Sequence, residues 1–481
     1  MGWDLRGRAA GAISAWLAIS AGLAMSVGCT SDSGNGSPSS TALATPSISR
    51  SAPGPLSSSS AAPARPADWP TYGGDLQRSG FSASMPAASG RLTARQIPLD
   101  GQVYASPIVV GGRVIVATEH NSVYAVSSTG AQLWRTILGT PTPRSALPCG
   151  NIDPLGITGT PVWDAASRSV FVVTSTGTTV RHDLIALDPD TGRVRWRHSV
   201  DLPGTDPQAM QQRGALTVVD GKVWVPFGGL AGDCGAYKGR VVGVPVGGLA
   251  AGTQPVAYTV PTTREAGIWA PPGPTVFQGR LFVAVGNGES VGRTYDYSDS
   301  VLELDGTRLV SSFSPRTWAS DNRSDLDLGS QGPAIVSGKW VFIAGKSETA
   351  YVLRAADLGG IGAQVSSKRL CASFGGTAVV GDTVYVPCSD GIRAVRISSA
   401  GVLTERWHAA QSIAGSPVVG GGRVYALDQD AGVLHALDPA SGKAREQVAV
   451  GQTSRFAVPA ISDGRLFVPT LAGLTIVDSV G

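Results

Sequence analysis

From Gly415 to Gly442 the chain reads GSPVVGGGRVYALDQDAGVLHALDPASG. SPVV is apolar, then glycines turn the chain. RVYAL alternates apolar and polar positions, a second loop follows, VLHAL alternates again, and DPASG makes another turn. Val and Tyr suit a pleated, half-buried surface, and the glycines supply the positive φ that tight turns need. The more polar KAREQVAV adds a fourth strand. One such sheet cannot bury both of its faces alone, so copies of it are required.

The copies are present. The turn between first and second strands recurs as VVGGRVIVA (109–117), VWDAASRSVFVV (162–173), VVDGKVWVP (218–226) and VFQGRLFVA (276–284). It returns as IVSGKWVFIA (335–344), VVGDTVYVP (379–387), VVGGGRVYAL (418–427) and ISDGRLFVP (461–469). The period of roughly 40–60 residues is that of propeller blades, and a long β-sandwich has no reason to repeat at it. The expected fold is all-β, an eight-bladed β-propeller of four-stranded blades. The last copy, SDGRLFVPTLAGLTIVDSVG, has three strands and no fourth. LTARQIPLD (92–100), ahead of the first full blade, is an unassigned strand candidate. The N-terminal strand is therefore expected to complete the eighth blade, hiding two edges that would otherwise stay open.

Residues 1–29 read as a targeting segment, with Arg6 and Arg8 before an apolar run from Ala9 to Val27. It ends in SVGC, which resembles the lipobox of bacterial lipoproteins. That resemblance implies a diacylated Cys29 and anchorage to the cell membrane by lipid, although Ser26 stands where the usual leucine would be. Ordinary signal cleavage and an uncleaved anchor are the other readings. All three place the body outside the cytoplasm. Residues 30–66 are rich in Ser, Pro, Ala, Thr and Gly and carry only Asp32, Arg50 and Arg65 as charges. Such a segment buries too little apolar surface to fold and is expected to be a tether. The propeller is assigned to residues 67–481.

Charged residues are 15% of the chain and the net charge is +3, which predicts no nucleic-acid partner. Beyond Cys29 there are four cysteines, Cys149, Cys234, Cys371 and Cys388. An even count outside the cytoplasm suggests disulfides, with three possible pairings. Cys371 and Cys388 flank strands joined at Gly381–Asp382, and antiparallel pairing brings them together. Cys149–Cys234 is then the remaining pair; four free thiols are the alternative.

The loops are distributed unevenly. A four-stranded blade sends its second-to-third-strand loops and its inter-blade connections to one end, and its short first turns to the other. The long loops here all belong to the first set: 148–161, 228–240, 264–273, 286–300, 320–333 and 344–350. Any site is therefore expected on that face, near the axis.

DWPTYGGDLQRSGF (68–81), ALDPDTGRVRW and ALDPASG resemble the PQQ-repeat group, the quinoprotein dehydrogenase-like propellers. In that repeat an Asp and a Gly close a turn and a Trp docks between blades. The long loops resemble the cofactor loops of quinoprotein alcohol and polyvinyl-alcohol dehydrogenases. The resemblance implies that Trp269, in IWAPPG, is the floor under a pyrroloquinoline quinone (PQQ). It places Asn287, in GNGE, and Asp233, in AGDCGAYKGR, as calcium ligands. It makes Asp325 or Asp327, in DLDLG, the general base, and puts Lys346, in AGKSETA, against the quinone. Calcium favours carboxylate and amide oxygens, and an Asp can take an alcohol proton. Two features depart from the family pattern. The vicinal Cys–Cys pair is absent, and Asp233 is one methylene shorter than the usual Glu. The bland alternatives are an inter-blade packing Trp269, turn-capping Asp325 and Asp327, a turn Asn287 and a solvated Lys346. Two functions stay open at this stage. One is a non-catalytic binding or assembly propeller whose loop face takes a protein, peptide, glycan or small molecule. The other is a PQQ- and calcium-dependent dehydrogenase of alcohols or sugars.

Overall fold

The computed structural model describes residues 68–479 apart from 293 and 411. The targeting segment with Cys29 and the Ser/Pro/Ala-rich tether lie outside the described residues. Eight sheets are formed, each with four antiparallel strands in meander order at its heart. The first strands of successive blades touch around a complete ring, including the last blade against the first. The closing strand is the one expected: Thr93–Pro98 pairs antiparallel with Gly473–Asp478, from Thr93 opposite Asp478 to Pro98 opposite Gly473. The ring thus ends on a blade whose outermost strand comes from before the first one. Pro98 sits at the end of this outermost strand, where a missing N–H costs least.

Blade-to-blade docking explains the ALDPxTG repeat. Trp134 of the first blade donates its indole N–H to Pro189 O of the second (3.0 Å), and Trp407 of the sixth does the same to Pro439 O of the seventh (2.8 Å). The glycine closing each turn lies against the ring. A Cβ on Gly192 would come within 2.6 Å of Trp134, and one on Gly442 within 2.4 Å of Trp407. Both glycines have φ near 70°, so turn geometry and ring contact independently demand glycine. Asp188 and Asp438 hold the turns by accepting N–H bonds from the residues two and three further on.

The segment before the closing strand spans the inner ring. Backbone carbonyls of Trp69, Pro70, Leu76, Ser79 and Gly80 accept from Val109, Trp163, Val276, Val379 and Val419, innermost residues of five different blades. At its centre Arg78 is 3% exposed and donates to Leu216 O (2.9 Å) and Pro274 O (3.3 Å). Burial pulls this guanidinium down to about 10. It shares these two carbonyls with the hydroxyls of Thr71 and Thr217, which donate to Leu216 O and Pro274 O.

Several features are not visible in the repeat. Met210–Gln211, Gly360–Ile361 and Phe81–Ser82 add short strands to the third, fourth and seventh blades. A helix, Trp318–Ser324, lies in the connection between the fourth and fifth blades. No helix among the described residues is long and apolar enough to cross a membrane.

Candidate functional site

Both expected disulfides form, Cys149–Cys234 with Cα atoms 6.0 Å apart and Cys371–Cys388 with 5.6 Å. In the second, the first hairpin of the sixth blade is extended by a bridge between Ser373 and Cys388, as antiparallel pairing requires.

A cavity of about 380 Å³ opens on the long-loop face. Of the six side chains proposed from sequence, Asp233, Trp269, Asn287, Asp325 and Lys346 line it. Asp327 lies directly behind them, fully buried. Glycines let the loops close up here. Gly228 and Gly286 pack against Trp269, where added Cβ atoms would fall 2.8 and 3.0 Å from it. Gly329 lies on Gly286, 2.4 Å from its Cα at the Cβ position. Trp269 thus packs between the third and fourth blades and also lines the cavity.

Lys346 is largely buried. Its ammonium lies 5.6 Å from the Trp269 ring centroid, 2.8 Å from Asp327 Oδ2, and against Asp325 Oδ1. Burial alone would lower it, but the two carboxylates outweigh this and hold it above the usual lysine range. Asp327 moves upward because it is buried, and Lys346 offsets only part of that. Asp325 is the left-handed cap of helix Trp318–Ser324, with φ 53°, and its side chain is 66% exposed. It is at once a turn cap and part of the cavity wall. Asp299, buried and raised well above the carboxylate range by that burial, fixes the loop by accepting Leu328 N–H at 2.8 Å.

Asn287 faces both aspartates. With its amide nitrogen turned toward them it donates to Asp325 Oδ1 and Asp327 Oδ2, each at 3.2 Å. These are the same two carboxylate oxygens that Lys346 holds, so the lysine and the amide share them. Asp233 approaches from the third blade and accepts from Tyr237 OH. Glu265, paired with Arg264, is raised by burial and further by the charges of Asp233, Glu289 and Asp325. The Asp233 loop is tied to the 148–161 loop by the neighbouring Cys149–Cys234 bridge.

The opposite wall was not anticipated. Arg213, Arg455, Phe374 and Phe456 line the same cavity. Arg213 stacks 4.5 Å from the Phe456 centroid, Arg455 3.8 Å from Phe374, and Phe456 meets Trp269 edge-on at 6.1 Å. Burial lowers both guanidiniums. Among the described residues neither forms an ion pair, although Glu119 lies close enough to Arg213 to act on it electrostatically. Their sequence signal is position: each residue precedes an innermost strand by a few residues, where inter-blade connections turn toward the axis.

The family model described as outer membrane protein assembly factor BamB matches residues 78–243 and 302–478. This chain belongs to the PQQ-repeat propeller family. Polyvinylalcohol dehydrogenase from Sphingopyxis sp. (strain 113P3) is 28% identical over an alignment of 244 residues that covers 45% of this chain and 34% of that protein. The chain thus spans about a third of that relative's length. Quinohemoprotein alcohol dehydrogenase from Comamonas testosteroni aligns with TM-score 0.64 and 17% identity over 87% of this chain and 81% of its own. BamB from Moraxella catarrhalis aligns with TM-score 0.55 and 18% identity over 80% and 99%. At these identities the structural likeness establishes the fold alone. The PQQ-repeat family therefore includes neighbours with two kinds of role, and the side chains of the cavity must decide between them.

Proposed function

We propose that this propeller binds an anionic aromatic quinone, PQQ, with calcium in the long-loop cavity and oxidises alcohols or sugars there. The observation that carries the reading is convergence. Trp269, Lys346, Asn287 and three aspartates come from five separate connections to one cavity, opposite two arginines that have no ion-pair partner among the described residues. Mere decoration of one face by long loops gives no reason for that arrangement.

The donor set fits both groups. Asp233 and Asn287 offer the hard oxygens that calcium takes. Trp269 offers a flat ring, and Arg213, Arg455 and Lys346 offer donors for carboxylates and a quinone oxygen. When bound, the quinone supplies a two-electron acceptor, which side chains cannot provide. The protein's own part is to hold and to take a proton. Trp269 would take one face of the ring, and Phe456 stands edge-on beside it. The Asp325–Asp327 pair, bridged by Lys346, supplies the acceptor for the alcohol proton. Asp325 reaches the cavity surface, and Asp327 carries the raised pKa.

The other reading is a binding or assembly propeller that uses the same face for a protein, peptide or glycan. The absent vicinal Cys–Cys pair and the shorter Asp233 favour it. An extracytoplasmic position agrees with two disulfides and the N-terminal sequence; lipidation of Cys29 and membrane tethering belong to the proposal.

Calorimetric titration of the full chain with PQQ, in calcium and in chelator, tests the choice. A saturable, calcium-dependent signal is expected. Absence of binding at millimolar PQQ and calcium removes the dehydrogenase reading and leaves the binding propeller.

A further inference from the structure

Behind the arginine wall of the main cavity lies a carboxyl that the proposed oxidation does not use. Glu119 sits in the second-to-third-strand loop of the first blade and is 1% exposed. Its Oε2 accepts the Gly156 N–H at 2.7 Å, and its Oε1 is buried without a hydrogen-bond partner. The backbone around it is held from two sides. Glu119 N–H donates to Gln102 O at 2.9 Å, and Gly156 comes so close that an added Cβ would fall 2.2 Å from Glu119 O. The loop has little room to carry the carboxyl elsewhere.

Groups on three neighbouring elements act on this carboxyl or feel it. Arg213, in the connection between the second and third blades, and Thr158, in the 148–161 loop, favour its charged form. Tyr104, on the connection into the first blade, feels the charges of both Glu119 and Arg213. Arg455 acts on Arg213 in turn. On its outer side Glu119 lines a depression of about 310 Å³ together with Asp100, His120 and Asp153. Glu119 thus stands between that depression and the cavity that Arg213 lines.

Such a wall has two charge states. With Glu119 neutral, Arg213 presents an uncompensated guanidinium to the cavity. With Glu119 ionised, a charge behind the guanidinium offsets part of it, through protein, where screening is weak. Burial pushes the Glu119 carboxyl up to about 7, so both states are populated near neutral pH.

We propose that Glu119 is a positioning residue of the anion-binding wall, acting through Arg213 to set how tightly the main cavity holds an aromatic polycarboxylate. This rests on the proposed function only in taking the ligand of that cavity to be such an anion. Linkage fixes the sign. An anion bound against Arg213 disfavours the Glu119 carboxylate, so binding takes up a proton and affinity falls as pH rises.

The test is calorimetric titration of the full chain from about pH 6 to about pH 8.5 with two probes. One is PQQ with calcium, and the other is benzene-1,3,5-tricarboxylate without calcium. Carboxylates stay ionised over this range, so the probes add no titration of their own. Affinity should fall about tenfold across it, a coupling ordinary between two sites. Proton uptake on binding near neutral pH should appear as a heat that depends on the buffer. Glu119→Gln keeps the shape and an oxygen for the Gly156 N–H. It should bind at every pH as wild type does at the acid end, and take up no proton. Arg213→Gln should weaken binding, and adding Glu119→Gln to it should change nothing further. His120 shares the outer depression, so these substitutions, and not the midpoint of the profile, assign the group. A profile that survives Glu119→Gln refutes the proposal, as does a flat profile in wild type or absence of binding by both probes. The expected profile with the tricarboxylate, in a chain that binds no PQQ and calcium, keeps the role of Glu119 and overturns the dehydrogenase reading instead.

Discussion

Lys346 Nζ lies 2.8 Å from Oδ2 of Asp327, a carboxylate with no solvent exposure whose other oxygen has no hydrogen-bond partner. Removing the lysine leaves a buried charge uncompensated. Lys346→Met should therefore destabilise the domain by about 3–5 kcal/mol, and Lys346→Met with Asp327→Leu should recover much of the loss. Chemical denaturation of the two variants measures both quantities. If the single variant unfolds with wild type, the pair is not buried as described.

The same cluster separates binding from turnover. Trp269→Ala should weaken PQQ binding by about 1–3 kcal/mol, by analogy with stacking of bases on aromatic rings. Asn287→Ala should lower calcium affinity. Asp325→Asn and Asp327→Asn should leave quinone affinity near wild type, and the one that abolishes alcohol oxidation identifies the proton acceptor. Titration and steady-state assays on the same preparations make the distinction.

Glu119 lies behind Arg213, 1% exposed, and burial pushes its carboxyl from 4.5 up to about 7. Between these values the folded chain keeps a proton that the unfolded chain has lost. Its contribution to stability is thus complete below pH 4.5 and disappears as pH rises through 7. The loss should be about 3 kcal/mol. Glu119→Gln should remove this fall, so the difference between wild type and variant should change across that window in denaturation curves taken at several pH values.

Ring closure is testable by truncation. A chain beginning after Pro98 loses both the outermost strand of the eighth blade and the segment anchored by Arg78. Stability should drop by several kcal/mol, because each blade depends on its neighbours. A melting temperature within a degree or two of the full chain would refute the closure.

Loss of either disulfide should be measurable as well. Cys371 and Cys388 are 17 residues apart, and Cys149 and Cys234 are 85 apart. Loop-closure entropy assigns about 3 and about 4.5 kcal/mol to them. Double Cys→Ala variants compared by thermal unfolding give the values. Replacing the Cys149–Cys234 pair should also loosen Asp233 and so reduce calcium affinity, whereas replacing the other should not.

The sequence by itself determined the blade. Alternation in RVYAL and VLHAL sets strand faces, and the glycines after each first strand set the turns, because both are short-range constraints on backbone and burial. Repetition then required a ring, and the strandless end of the last copy pointed to Thr93–Pro98. Trp269, Asn287, Asp233 and Lys346 were legible because their motifs are local. Only tertiary structure decided what they face. Arg213 and Arg455 carry no motif; they matter because stacking on Phe456 and Phe374 holds two charges against a cavity, with no ion-pair partner for either among the described residues. Asp327 and Asp325, two residues apart in one loop, end with opposite exposure because a left-handed helix cap turns the chain between them. Burial, and the electrostatics that follow from it, is a sum over neighbours distant in the chain, and no stretch of sequence contains that sum.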